Sequence, residues 1–242
     1  MTDRIDRVII TGAGSGIGLD MARAFLARRS RLVVNGRDAD KLERARRSLG
    51  DPARIFAVPG HVGDPATARA LAAAARERLG GVDVLVNNAG IFAPKPFLES
   101  TAADLERFFE TNVKGTYLVT QAIVPLMIEG GGGSIVNVGT PLVYEAMTSL
   151  PVSAAMASKG AVHAITVSLA AELARHHIRV NTLAPGVIRT PLSGDADSLA
   201  SIHPLGRIGE VRDTSDAVLF LARADFVTGI TLPVDGGYSH GR

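Results

Sequence analysis

The chain has 242 residues, of which 46% are hydrophobic and 21% are charged, a composition and length within reach of one folded α/β domain. Twenty-six basic and 24 acidic residues leave a formal net charge of only +2, which does not indicate a nucleic-acid partner. The absence of cysteine excludes disulfides, thiolate nucleophiles and cysteine-ligated metals.

The N-terminal segment carries four charged side chains and then an apolar run too short for a signal peptide or a membrane span. We therefore expect a cytoplasmic protein with no membrane association. No composition shift marks a linker and no repeat of fixed period is visible, so residues 1–242 are predicted to form one domain.

Short apolar runs alternate with helical stretches along the chain, a pattern typical of βα units on a parallel sheet. Strands are predicted at residues 8–10, 32–34, 55–58, 84–86, 135–138 and 180–183. Helical spacing predicts a long helix over about 102–127 and another over about 154–177. The polar, proline-bearing segment at about 190–209 predicts a mobile substrate flap.

The first predicted strand leads into a glycine-rich turn with glycines at positions 12, 14, 16 and 18. Backbone can approach a pyrophosphate closely there, and the N-terminus of the following helix attracts phosphate. This strand-turn-helix context indicates a Rossmann-type dinucleotide site. Its predicted cofactor-binding residues are Gly12, Ser15, Gly16, Ile17 and Gly18.

The end of the second predicted strand discriminates between the two nicotinamide cofactors. An acidic residue there would accept from a ribose hydroxyl and repel a 2′-phosphate, but this chain has Gly36 followed by Arg37. A guanidinium group suits a 2′-phosphate, so NADP(H) is predicted in preference to NAD(H). The alternative is that Arg37 merely faces water.

Together these residues resemble the short-chain dehydrogenase/reductase family over nearly the whole chain. Besides the glycine turn, the shared motifs are Asn87-Asn88-Ala89-Gly90, Asn112, Ser158-Lys159, Pro185-Gly186 with Thr190, and Val234-Asp235-Gly236-Gly237. The resemblance implies a doubly wound parallel sheet of about seven strands and hydride transfer to or from a small-molecule substrate.

The resemblance also implies roles for individual residues. Asn88, Ala89 and Gly90 would shape the adenosine side of the cofactor, and Pro185, Gly186, Ile188 and Thr190 would hold its nicotinamide end. Lys159 would bind the nicotinamide ribose and favour an anionic transition state. Thr140 would polarise the substrate, in a position where serine is usual, and Asn112 would order water.

The chain departs from the family pattern at the proton donor. The family places tyrosine four residues before its lysine, and this position holds Ala155. General acid–base catalysis contributes typically ~10²–10⁴-fold, so its loss would weaken carbonyl reduction without preventing cofactor binding.

Four alternatives follow from Ala155. In the first, another side chain supplies the proton. Tyr144 is the first candidate and is also predicted to contact the substrate, and His163 and His203 are weaker candidates. In the second, the substrate is an imine or enone that needs no such donor. In the third, the protein binds NADP(H) without turnover as a sensor or scaffold. In the fourth, Ala155 is an engineered inactivation.

A second departure places His61 and Val62 where the family has aspartate and valine, which predicts a modified adenine contact. A mainly apolar substrate pocket is predicted from Phe92, Pro141, Leu142, Tyr144, Val187 and Leu192. By resemblance, the apolar C-terminal segment 226–238 predicts association into a homotetramer or homodimer. No metal site is expected, because the adjacent His176 and His177 do not share a helix face.

Overall fold

A computed structural model describes residues 5–191, 193 and 197–239. Its strands are short apolar runs that helices cover on both faces, as parallel sheets require. They are β1 (Arg7–Ile10), β2 (Arg31–Gly36), β3 (Ile55–Pro59), β4 (Val84–Asn87), β5 (Gly133–Val138), β6 (Ile178–Pro185) and β7 (Thr231–Val234). All pair in parallel, in the order β3-β2-β1-β4-β5-β6-β7, which confirms the predicted doubly wound sheet.

The helices of the described residues form two layers, one on each face of the sheet. They are α1 (Gly16–Ala27), α2 (Ala39–Ser48), α3 (Pro65–Ala74), α4 (Ala102–Phe108), α5 (Gly115–Glu129), α6 (Ser153–Leu173) and α7 (Val211–Arg223). One buried cluster joins α1 and α7 to the sheet, and a second joins α3, α5 and α6 to its other face. The strand order reverses between β1 and β4, where folds of this type bind ligands.

The long helix predicted over 102–127 is interrupted in the structure. A π-helical turn, Phe109–Lys114, separates α4 from α5, and turns of this kind occur frequently at functional sites. Hydrophobic spacing did not reveal it, because the apolar pattern continues on both sides. The helix predicted over 154–177 is α6 followed by a single 3₁₀ turn, Ala174–His176.

A row of buried polar side chains fixes α6 to the centre of the sheet. Asn87 donates to Asn137 at 2.9 Å, and Asn137 donates to Thr166 of α6, also at 2.9 Å. Thr182 of β6 donates to the same Thr166 hydroxyl at 2.8 Å. Because buried polar groups are costly unless paired, this row fixes how α6 sits on the sheet and therefore where its N-terminal half lies.

Within the described residues, no helix combines the length and the apolarity needed to cross a bilayer.

Candidate functional site

A cavity of about 670 Å³ lies where the loops that follow β1, β4, β5 and β6 meet. These loops leave the carboxyl ends of parallel strands, so the topology brings them to one edge of the sheet. Most of the predicted site residues line this cavity. They are Gly12, Ser15, Gly16, Ile17, Gly18, Asn88, Ala89, Gly90, Thr140, Lys159, Pro185, Gly186, Ile188 and Thr190.

The glycine turn is too crowded for side chains at two positions. Gly12 has a φ of +68°, and a Cβ atom there would lie 2.8 Å from the Cα atom of Ala89. At Gly18 a Cβ atom would lie 2.5 Å from the carbonyl oxygen of Gly12. The missing side chains let the turn and the start of α1 lie directly against the loop after β4.

Hydrogen bonds fasten this turn to the loop after β4. The Asn88 side chain donates to the carbonyl oxygens of Thr11 and Gly12 at 3.0 and 3.1 Å. The Thr11 hydroxyl in turn accepts from the backbone N–H groups of Asn88 and Ala89. Asn88 therefore holds the shape of the turn, which is a different task from contacting adenosine directly.

The N-terminus of α1 opens into the cavity. Ser15 precedes the helix in an extended conformation and its side chain makes no capping hydrogen bond. The first turn of α1 contains no acidic residue. The N–H groups of this turn and the positive end of the helix dipole are therefore suited to a phosphate, as the sequence predicted.

Two cations, Arg37 and Lys41, follow the end of β2. Arg37 is exposed, and the neighbouring carboxylate of Asp38 accepts from the backbone of Lys41 at 2.9 Å as the N-cap of α2. That contact lowers the pKa of Asp38. The stem of Lys41 lies over the turn, since a Cβ atom on Gly14 would be 3.8 Å from its Cγ atom. The sequence analysis did not identify Lys41 as a cofactor-binding candidate. Asp38 could have indicated it, because an N-cap at this position starts a helix whose first turn contains Lys41.

Lys159 reaches the cavity from α6. Its ammonium group donates to the carbonyl oxygen of Val138 at 2.7 Å. A Cβ atom on Gly90 would lie 3.1 Å from Lys159 Nζ, so Gly90 leaves space for the ammonium group. Burial lowers the pKa of Lys159 to about 8, which keeps the group mostly cationic at neutral pH.

Asn112 lies in the π-helical turn and is 1% exposed. Its side-chain oxygen accepts from the backbone N–H of Ile91 at 2.8 Å, and its amide nitrogen donates to the Ile91 carbonyl at 3.0 Å and to Ser158 at 2.9 Å. Its backbone carbonyl accepts from Thr116. The amide thus joins the loop after β4 to α6 outside the cavity wall, and the water-ordering role remains a prediction.

Ala155 lies near the start of α6 and is 1% exposed. Its carbonyl oxygen accepts from the Ser158 hydroxyl, and its methyl group is not part of the cavity wall. Thr140 does line the cavity, where its hydroxyl accepts from the backbone of Leu142 at 3.3 Å.

Tyr144 does not lie where the sequence interpretation put it. It is 62% exposed and outside the cavity lining, and its hydroxyl lies 2.8 Å from Nδ1 of His163. His163 is buried behind Gly139 and also lies outside the lining. Burial, with the nearby Lys159 charge, lowers the pKa of His163 to about 4. The expected substrate contact of Tyr144 is therefore corrected, because the loop after β5 turns this side chain away from the cavity.

His203, a weaker candidate for the proton donor in the sequence analysis, lies in the predicted flap segment. In the structure it is 2% exposed and lines the cavity. The described part of the predicted flap includes a 3₁₀ helix, Asp197–Ile202, and Arg189 pairs with both Asp197 and Glu210 beside it.

The remaining predicted residues divide into two groups. Phe92, Pro141, Leu142 and Val187 line the cavity, whereas Arg37, His61 and Val62 lie outside its lining, and Leu192 falls outside the described residues. His61 accepts from Gly63 and lies 3.2 Å from the Thr111 hydroxyl, while Val62 is buried against Gly115. Their adenine contact remains a prediction. Across the described ranges, no three histidine or carboxylate side chains converge as a metal site would need.

A family model described as enoyl-(acyl carrier protein) reductase matches residues 12–239 of the chain. Galactitol 2-dehydrogenase (L-tagatose-forming) of Cereibacter sphaeroides is 41% identical, over 95% of this chain and 93% of the relative.

Solved structures extend the similarity to three dimensions. A gluconate 5-dehydrogenase from Burkholderia cenocepacia, in complex with NADP and tartrate, has a TM-score of 0.90 and 35% identity over 99% of this chain and 98% of its own. A 3-ketoacyl-(acyl-carrier-protein) reductase from Brucella melitensis, complexed with NADH, has a TM-score of 0.92 and 34% identity over 98% and 100%.

Proposed function

Because this chain belongs to the short-chain dehydrogenase/reductase family, we propose that it is an NADP(H)-dependent oxidoreductase for a small, mainly apolar alcohol or carbonyl substrate. One observation carries the proposal. A single cavity joins the glycine turn at the start of α1 to Lys159 and Thr140, so an element suited to a dinucleotide and polar groups suited to a reacting oxygen share one space.

The residues present fit a nicotinamide dinucleotide. Gly12 and Gly18 let the turn pack directly against the loop after β4, and the N-terminus of α1 supplies phosphate-binding N–H groups. Pro185 and Gly186 line the far part of the same cavity, where the nicotinamide end would lie. When bound, the dinucleotide supplies or accepts the hydride.

Arg37 and Lys41 support the preference for NADP(H). The stem of Lys41 lies beside the turn, Arg37 is exposed directly after β2, and the carboxylate of Asp38 is held in the N-cap of α2. A 2′-phosphate would gain charge-assisted hydrogen bonds from such a pair, and NAD(H) would not. Similar structures hold NADP in one case and NADH in another, so the preference is read from these side chains.

The substrate end of the cavity is mostly apolar. Leu142, Met147, Leu150 and Val187 line it, which favours a largely hydrocarbon skeleton around the reacting group. The Thr140 hydroxyl would orient a substrate oxygen, and the cationic Lys159 would stabilise negative charge that develops there. An imine or enone substrate would bind in the same cavity, and its reduction would depend less on a proton-donating side chain.

A non-catalytic sensor or scaffold is the second candidate. The observation that favours it is Ala155, which puts a methyl group at the position that the resemblance assigns to a proton donor. The cofactor cradle would then serve binding alone.

We also propose that the protein acts in the cytoplasm as a homodimer or homotetramer. Phe226 is fully exposed, and Phe220 on α7 and Ile230 before β7 are 52% and 40% exposed. An apolar surface of this kind favours burial against another copy of the chain. Light scattering in solution measures the assembly.

The deciding experiment follows NADPH absorbance with a panel that contains cyclohexanone, acetophenone, a cyclic imine, an enone and L-tagatose. NADPH fluorescence titration serves as the binding control. Turnover of an apolar ketone supports the proposed function, and binding without hydride transfer to any compound in the panel supports the sensor.

A further inference from the structure

The cavity wall contains a buried histidine with one ring nitrogen unpartnered. His203 is 2% exposed, and its Nε2 atom is one of three buried side-chain polar atoms without a hydrogen-bond partner in the described part of the chain. The others are Asn87 Oδ1 and His163 Nε2, which belong to residues outside the cavity lining. A buried polar group without a partner costs stability, so an unpartnered nitrogen in a cavity wall indicates a site where a ligand group would bind.

One hydrogen bond fixes the tautomer of this ring. His203 Nδ1 lies 2.6 Å from the backbone carbonyl oxygen of Asp235. A carbonyl oxygen only accepts, so Nδ1 carries the hydrogen and Nε2 of the neutral ring presents a lone pair. His203 can therefore take a proton at Nε2 while Nδ1 stays bonded.

The ring is held tightly in this orientation. A Cβ atom on Gly186 would lie 2.8 Å from Cε1 of His203, and one on Gly236 would lie 3.1 Å from its Cβ atom. The Tyr238 ring meets it edge-on, with 6.3 Å between the centroids. The contact with Gly186 places the ring beside the part of the cavity assigned to the nicotinamide end.

Several other proton-bearing groups near the cavity already take part in a hydrogen bond or lie outside its lining. The Tyr238 hydroxyl donates to the carbonyl oxygen of Glu145 at 2.7 Å, and the Thr140 hydroxyl caps the turn at Leu142. Lys159 donates to Val138, and Tyr144 lies outside the lining. Among these groups, His203 Nε2 alone combines a buried position in the wall with an unused lone pair.

We propose that His203 is the catalytic residue that carries the proton in the oxidoreductase reaction, an inference that rests on the proposed function. In the oxidation direction the alcohol O–H bond breaks and its proton forms a bond with Nε2. The C–H bond gives its electron pair and hydrogen as hydride to the oxidised nicotinamide dinucleotide, and the ketone forms. In reduction the imidazolium returns that proton to the oxygen as hydride reaches the carbonyl carbon.

Charges around the ring suit this exchange. The residue whose backbone carbonyl accepts from Nδ1 is Asp235, and its carboxylate accepts hydrogen bonds from Gly237 and Ser239. A negative charge therefore lies on the residue that holds the ring. The Lys159 ammonium lines the same cavity and opposes that charge.

The test replaces His203 with asparagine in the full chain. In His203→Asn the amide nitrogen can keep the hydrogen bond to Asp235, while the group at Nε2 is lost. We expect NADPH affinity and melting temperature near those of the parent, and cyclohexanone turnover lower by ~10²–10⁴-fold, the usual contribution of general acid catalysis. His163→Asn is the matched control, because it removes another buried Nε2 from outside the cavity, and it should keep parental turnover.

Two further measurements separate proton transfer from a structural role. Adding Ala155→Tyr to His203→Asn offers a phenol in place of the imidazole and should restore turnover. Nitrogen-15 NMR of the parent should show a protonated Nδ1 and an unprotonated Nε2 that disappear in His203→Asn.

Each adverse outcome has its own meaning. No turnover by the parent contradicts the proposed function, and the inference falls with it. Parental turnover that His203→Asn retains, or a ring protonated at Nε2 and bare at Nδ1, overturns the inference alone.

Discussion

Ala155 and Lys159 lie on the same face of α6, because they are four positions apart in a continuous helix. The Lys159 side chain reaches the cavity, whereas the methyl group of Ala155 is too short to form part of its wall. A longer side chain at position 155 would therefore project towards the cavity and meet the ammonium group.

In the His203→Asn background, Ala155→Tyr should raise ketone reduction by ~10²–10⁴-fold, the size of a general acid contribution. The positive charge of Lys159 would lower the pKa of the new phenol and make it a better acid. Ala155→Phe is the matched control, since it adds the same ring without the hydroxyl. Equal rates in the two variants, measured by NADPH absorbance, would show that the phenol donates no proton.

Arg37→Ala and Lys41→Ala should each weaken NADPH binding by about tenfold or more and leave NADH binding unchanged. A charge-assisted hydrogen bond contributes about 1.5–3 kcal/mol, and only NADPH carries the phosphate that these cations would contact. Fluorescence titration with both cofactors measures the effect. Arg47→Ala, on the exposed face of α2, is the control, and a parallel loss of NADH affinity would argue against the assignment.

Gly18→Ala should lower the free energy of unfolding by about 1–3 kcal/mol, the usual cost of overpacking, because its methyl group would collide with the carbonyl of Gly12. Gly14→Ala is the steric control, since its methyl group would meet Lys41 only at an ordinary 3.8 Å. Chemical denaturation compares the two. Equal stability losses would mean that the close approach of α1 to the turn is relieved by a small shift.

Lys159→Met should gain thermal stability relative to the parent at pH 7, and the gain should shrink as the pH rises from about 8 to 10.5. Burial lowers the pKa of Lys159 from 10.5 to about 8, so the folded state binds this proton less well than the unfolded state. Below pH 8 the parent bears the full cost of burying the charged ammonium group, at most about 3 kcal/mol. This cost falls as the folded protein releases the proton above pH 8, and it is gone once the unfolded chain deprotonates near pH 10.5. Melting curves of the cofactor-free proteins measure the trend, and a pH-independent difference would contradict it.

Tyr144→Phe should keep parental turnover, because the tyrosine hydroxyl contacts His163 outside the cavity. The loss of that hydrogen bond leaves the buried His163 Nδ1 with only a longer 3.4 Å contact to the Thr231 hydroxyl, and should cost about 1 kcal/mol of stability. Steady-state kinetics and a melting curve test both parts. A variant that loses turnover but keeps the parental melting temperature would indicate that Tyr144 is the proton donor.

The sheet and the glycine turn were predictable because each rests on local signals. Apolar runs predicted strands β1 to β6 but not β7, and Gly12 to Gly18 between a strand and a helix indicated a phosphate-binding turn. The resemblance supplied Lys159 and the residues after β4 and β6, and the cavity brings them together.

Side-chain direction in loops was not predictable from spacing. Tyr144 and His203 both lie in irregular segments, where no helical or strand period says which way a residue points. Tertiary contacts decided both cases, since Tyr144 turns outward to His163 and His203 is drawn inward to Asp235. The π-helical turn at Asn112 was also missed, because apolar residues continue on both sides of it and only their angular phase changes where the extra residue is inserted.

The cavity wall includes both Gly12 and Tyr238, which are 226 residues apart (238 minus 12). At typical rates of synthesis, roughly 10–45 s separate the addition of these two residues to a growing chain. A cofactor molecule meeting the nascent protein therefore finds no finished pocket while the glycine turn first takes shape. That shape must come first from contacts made within the earlier part of the chain, such as those between Thr11 and Asn88.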